Sequence, residues 1–228
     1  MKALLYKEFK LAMHPICYIF VLAFPVLILI PSYPLAVGFI YVLTCYPILF
    51  LGANKGQQSN DLLFSTLLPV RKKDIVLARM ITVMIMQFVY IALMSCWYPL
   101  AIFLQNKIAI SGESATIPGL PLEGFVSIIG IAIIGFALAD LIYFSVYYKN
   151  GKSIVMSTLF TILGFIVYLT VFTVAIPYIP GCEGYVEFLC FKGIGYQFIV
   201  LGACLVVYAL IHFLVYRIAS KELELVDF

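Results

Sequence analysis

Few side chains of this sequence are equipped for chemistry, and most stand apart from one another. Asp140 is the one acid well inside an apolar run, the stretch 125–148. An acid in such a place is costly and is normally paired or turned toward water. It lies about two and a half helical turns from Lys149, near enough to an end of the run to approach the headgroups. Two roles stay open for it: a place in a transport or proton pathway, or a structural hydrogen bond to a Tyr, Ser or Gln of a neighbouring helix. The histidines, His14 and His212, sit near opposite ends of the chain. They cannot supply a metal triad with local spacing, so no metal is expected. Gly151-Lys152-Ser153 matches the end of a phosphate loop, but that motif needs a glycine at position 146, which is Val146. It reads as a turn between helices, and ATP binding by this chain is not expected. There is no Gly-x-Ser-x-Gly and no pair of carboxylates on one apolar face, so no catalytic residues are assigned. Cys182 and Cys190 share one short segment and are either a disulfide or two reduced thiols. Cys17, Cys45, Cys96 and Cys204 fall in or at the ends of apolar runs and read as small fillers.

The elements that must hold these groups are membrane helices. A hydrophobic fraction of 64% against 11% charged residues excludes an ordinary soluble domain. The mean hydropathy of +1.12 agrees. The apolar runs do not alternate with polar residues, so a barrel is excluded as well. A helical span needs about 20 apolar residues. That length marks off spans at about 16–34, 35–53, 80–104, 124–148, 154–177 and 193–216. The fold expected is an all-α polytopic membrane domain covering 1–228, with six transmembrane helices.

Orientation follows the basic residues. In a six-span arrangement Lys2, Lys7, Lys10, Lys55, Arg71, Lys72, Lys73, Arg79, Lys149, Lys152, Arg217 and Lys221 all fall on one side. The other side holds Lys107 and Lys192 among four acids, Glu113, Glu123, Glu183 and Glu187. Both termini are therefore expected in the cytoplasm. Residues 1–12 place Leu4, Leu5, Phe9 and Ala12 near one helical face, with Lys2, Lys7 and Lys10 around the other. That pattern suits a helix lying in the interface. Pro25 is liable to kink the first span, and the third should run from near Met80 to a stop at Pro99. Small residues at Gly135 and Ala139 permit close helix approach. Residues 178–192 are too apolar for a freely solvated loop and are expected to dip into the membrane edge.

One polar connection, 54–79, is dense in positive charge and organises the rest. Asn60-Asp61 can cap a short helix carrying Leu62, Leu63, Phe64, Leu67 and Leu68. Pro69 stops it, Arg71-Lys72-Lys73 follows, and Asp74 sits in the first turn of the next helix, where the dipole favours an acid. The basic run helps to fix topology and touches anionic lipid. It does not explain the apolar face that precedes it, which is placed for a second protein.

The segment 61–79, Asp-Leu-Leu-Phe-Ser-Thr-Leu-Leu-Pro-Val-Arg-Lys-Lys-Asp-Ile-Val-Leu-Ala-Arg, resembles the SLPV-S-R-K-E-I-V-x-x-K signature of small ABC-2 type transporter permeases. The opening Met-Lys-x-Leu-x-x-Lys-Glu-Phe is similar to the start of that family. Tyr147-Tyr148-Lys149-Asn150-Gly151 resembles its Y-Y-K-F-G after the fourth span. Departures are Gln57-Gln58, where many members carry acids, and Ser145, where proline is frequent. The resemblance implies the membrane subunit of a bacterial ABC exporter in the cytoplasmic membrane. Residues 60–68 would be a coupling helix seated in a separate ATP-binding subunit. Asp61, Leu62, Leu63, Phe64 and Leu67 would be its contacts, with Arg71 and Lys72 as the charged rim. Residues 178–192 would form the outer gate. Two copies of the permease would pair with two ATPase subunits, which bind the ATP and Mg. Cargo would pass between the bundles, and the compact chain is most similar to permeases that export amphipathic peptides. A lipid or hydrophobic drug would suit the same path, and no nucleic acid is expected. Two other readings remain: an ion-coupled transporter using Asp140, and a membrane scaffold or immunity protein without a transport cycle.

Overall fold

The structure is a computed structural model that describes residues 2–29, 34–49, 70–110, 125–149, 154–171 and 194–225. The coupling segment from 54 to 69, the outer segment 178–192 and both Cys182 and Cys190 lie outside the described residues. Among those described, every regular element is helical.

Helix α1, Lys2–Lys7, passes directly into a π-helical turn, Glu8–Ala12. The widened register is closed by Met13 N–H, which donates to the Glu8 carbonyl five residues back at 3.0 Å. Helix α2, Pro15–Ala23, starts with His14 at its N-cap, the Nδ1 of which accepts from Ile16 N–H at 3.3 Å. The arm Lys2–Lys10 meets the Pro15–Leu29 segment at 82°. Beyond Ala23 the chain tightens into a 3₁₀ stretch, Phe24–Leu29, at Pro25. A proline there removes one donor and crowds the preceding turn.

Helix α3 is Pro34–Leu49 and α4 is Lys72–Ile110, 39 residues long. The latter runs through Pro99 rather than stopping at it. A membrane helix tolerates this because its neighbours and nearby hydroxyls compensate the freed backbone. Asp74 occupies its first turn. Helices α5, Phe125–Lys149, α6, Ile154–Thr170, and α7, Ile194–Leu225, complete the described chain. The last continues well past Arg217, through Lys221, Glu222 and Glu224.

Three of these helices, α4, α5 and α7, are long and apolar enough to cross a membrane, or four spans if the bent N-terminal pair counts as one. Shorter apolar helices cover Val37–Pro47 and Ile154–Thr170. Polar side chains along them turn inward to the backbone: Thr44, Thr82, Ser95 and Thr161 each donate to the carbonyl four residues back.

Helix α5 is the centre of the bundle, with α7 packed along one side and α6 along another. Glycines set both contacts. A Cβ at Gly130 would stand 3.0 Å from Cys204 Sγ on α7, and one at Gly135 would stand 2.9 Å from ring atoms of Phe165 and Tyr168 on α6. Tyr168 adds a tie by donating its hydroxyl to the Ile131 carbonyl at 2.8 Å. Outward, α6 presents Val155, Met156, Leu159, Phe160 and Val167, and α7 presents Phe198, Ile199, Val206 and Leu210. Apolar side chains on the outside as well as the inside are what a lipid environment allows.

Candidate functional site

Among the described residues, two buried polar clusters stand inside this apolar shell. The inner one is built on Asp140, which is fully buried on α5. Its Oδ1 accepts the hydroxyl of Tyr46 on α3 at 2.5 Å. Its Oδ2 accepts Nε2–H of Gln87 on α4 at 2.8 Å and lies 3.0 Å from Nε2 of His212 on α7. Gln87 spends its second N–H on the Tyr46 hydroxyl oxygen at 3.0 Å, and its carbonyl accepts the Tyr208 hydroxyl at 2.8 Å. His212 Nδ1 lies 2.9 Å from the Tyr208 carbonyl one turn back. Four side chains from three other helices thus gather around one carboxylate, Tyr46, Gln87 and His212 touching it and Tyr208 bracing Gln87.

Each position follows from its helix. Tyr208 and His212 are four apart, hence on one face of α7. Asp140 stands on α5 and reaches His212 on α7, the helix packed along its side. Aromatic rings wall the cluster: Tyr41 stands edge-on to Tyr46 at 6.1 Å, Tyr143 edge-on to Tyr46 at 5.4 Å, and the Tyr208 and His212 rings are 4.0 Å apart. In such surroundings an unpaired carboxylate would cost heavily, and the bonds from Tyr46 and Gln87 with the close approach of His212 are what make Asp140 tolerable there.

The second cluster lies about two helical turns away on the same two helices, since Arg79 precedes Gln87 by eight residues and Tyr147 follows Asp140 by seven. Arg79, 1% exposed, donates Nε–H to Glu8 Oε2 at 3.1 Å and an Nη1–H to the Tyr147 hydroxyl at 3.3 Å. Glu8 is fully buried, and its other oxygen accepts from Lys7 Nζ at 3.2 Å. Lys7 therefore faces the protein, not the basic outer side that the amino-acid pattern of 1–12 suggests. The start of α4 has one more tie, an exposed ion pair between Lys73 and Glu224 of α7 at 3.2 Å.

Of the residues singled out in the sequence, Asp140 joins His212, which local spacing had left alone. Arg71 and Lys72 lie at the entrance to α4. Asp61, Leu62, Leu63, Phe64 and Leu67 are outside the described residues. Cys17, Cys45, Cys96 and Cys204 are free thiols. Among the described residues no group of His, Cys, Asp and Glu could hold a metal ion. Sequence reasoning missed Tyr46, Gln87, Tyr208 and Glu8. The usable signal was the rarity of polar side chains inside apolar runs, since each one must find another.

A family model described as ABC-2 family transporter protein matches residues 3–220. No curated protein and no solved structure matches the chain.

Proposed function

The chain belongs to the ABC-2 family of transporter proteins, and from that premise we propose that it is the translocating subunit of an ATP-driven exporter. It is a multi-pass membrane protein and the membrane permease of an ABC transporter rather than its ATPase. The family match across almost the whole chain carries the reading. The finer parts are our own inference. Residues 60–68 dock in a separate ATP-binding subunit through Leu62, Leu63, Phe64 and Leu67, with Asp61, Arg71 and Lys72 at the rim. Two permease copies and two ATPase subunits assemble in a bacterial cytoplasmic membrane with both termini inside. Six spans cross it, and the cargo is an amphipathic peptide or another hydrophobic molecule.

The geometry at the start of α4 supports such a drive. Force entering at Lys72 meets, within two turns, Arg79 gripped by Glu8 of the N-terminal arm and bonded to Tyr147 of α5. A displacement of α4 therefore pulls on the arm and on the central helix together. An apolar groove of about 470 Å³, lined by Pro47, Ile154, Thr158, Leu159 and Leu163, opens between α3 and α6 and suits a lipid-like or apolar guest.

The test is Phe64→Asp in the full chain, expressed with the ATPase subunit that copurifies with the unaltered protein. The permease should stay inserted while the ATPase no longer copurifies. Retained copurification would overturn the docking assignment. The buried Asp140 is the observation that favours the second reading, an ion-coupled transporter. On that reading Asp140→Asn would abolish transport, and no ATPase would copurify with the native protein.

A further inference from the structure

The hydrogen-bond count of the inner cluster closes only with one added proton. Each donor has its acceptor. The Tyr46 hydroxyl serves Asp140 Oδ1, the two N–H groups of Gln87 serve Asp140 Oδ2 and the Tyr46 oxygen, and the Tyr208 hydroxyl serves the Gln87 carbonyl. His212 Nδ1 faces a backbone carbonyl, which can only accept, so Nδ1 carries hydrogen. That leaves the 3.0 Å contact between His212 Nε2 and Asp140 Oδ2. A neutral ring protonated on Nδ1 has a lone pair on Nε2, and an ionised carboxylate has lone pairs on Oδ2. Two lone pairs at hydrogen-bond distance, with a net negative charge in an apolar interior, would repel and be poorly solvated.

We propose that the Asp140–His212 gap is a proton-binding site that holds one proton in the interior of the bundle. The proton sits on Nε2 as an imidazolium–carboxylate pair or on Oδ2 as a carboxylic acid. Both forms are net neutral, and both satisfy every contact. Among the described residues, no Lys or Arg is bonded to the pair. The groups around it are Tyr41 and Tyr46 on α3, Gln87 on α4, Tyr143 on α5 and Tyr208 on α7. The charges of Lys7, Glu8 and Arg79 form their own cluster about two turns away. The bound proton joins α5 to α7, so a stroke that parts those helices must move it. Only this last consequence rests on the permease reading.

The experiment uses the full chain in lipid nanodiscs at neutral pH, with ¹⁵N-histidine and without the ATPase. Only two histidines contribute signals, and His14→Asn assigns them. The expected result for His212 is one of two patterns: both ring nitrogens protonated, or Nδ1 alone protonated together with a carboxylic-acid C=O band in the infrared. In Asp140→Asn an amide N–H turned toward Nε2 supplies the missing hydrogen, at the expense of the acceptor that Gln87 N–H had on Oδ2, so the ring becomes neutral with hydrogen on Nδ1, and any acid band is lost. A wild-type ring with Nδ1 bare would overturn the proposal. So would a neutral ring with hydrogen on Nδ1 and no acid band, or a ring averaging between tautomers. The wild-type spectra decide even if the variant does not fold. Failure here would leave the docking of residues 60–68 on an ATPase intact, and failure of that docking would leave the proton site intact.

Discussion

At the residue scale, the chain concentrates its few buried charges where they can satisfy one another. Glu8 and Arg79 are 71 positions apart yet meet at 3.1 Å, and neither reaches solvent. Removing Arg79 leaves Glu8 with Lys7 alone as its charged partner, at a cost of about 1–3 kcal/mol for the lost buried donor. Arg79→Met should therefore lower the stability of the purified permease by about that amount, read from its denaturation midpoint in detergent. Combining it with Glu8→Met should cost less than the sum of the single changes, because Arg79 is then no longer there to be stranded and only Lys7 loses its carboxylate. Asp140 could be singled out in the sequence because an acid stands out in an apolar run. Its principal partner could not, because His212 lies 72 residues away and its neighbours there are apolar. The same holds for Lys7. A pattern of basic residues on 1–12 gives their spacing around a helix, whereas which side faces the protein depends on Glu8 finding Arg79.

At the element scale, apolar length marks out α4, α5 and α7 readily, because membrane helices are constrained by thickness before anything else. Their ends are less legible. Proline at position 99 looks like a stop, yet α4 continues beyond it, since proline within a membrane helix costs one backbone bond that the surroundings can make good. Arg217 looks like an exit, yet α7 runs on to Leu225, where Glu224 reaches back to Lys73. Gly135, notable in the sequence only as a small residue, is the place where α6 is seated on α5. Gly135→Ala should force the Phe165 and Tyr168 rings aside and cost about 1–3 kcal/mol. Gly202→Ala is the control, because nothing lies within 4 Å of its added methyl. Thermal denaturation of the two variants side by side should show a loss for the first and little change for the second.

At the scale of the whole molecule, two polar clusters stacked along α4 and α5 tie an otherwise apolar bundle together. The outer one joins the N-terminal arm to the start of α4, and the inner one joins α3, α4, α5 and α7 through a single carboxylate. These bonds link the helices that the proposed drive would have to move. The central claim is that the drive arrives through residues 60–68 from another polypeptide. A photocrosslinking amino acid at position 64, activated in native membranes containing the assembled transporter, tests it most directly. Mass spectrometry of the adduct should identify a polypeptide with ATP-binding motifs, and the adduct should vanish when that ATPase gene is deleted. A crosslink to lipid alone, or labelling of position 64 from outside the cell, would contradict the account.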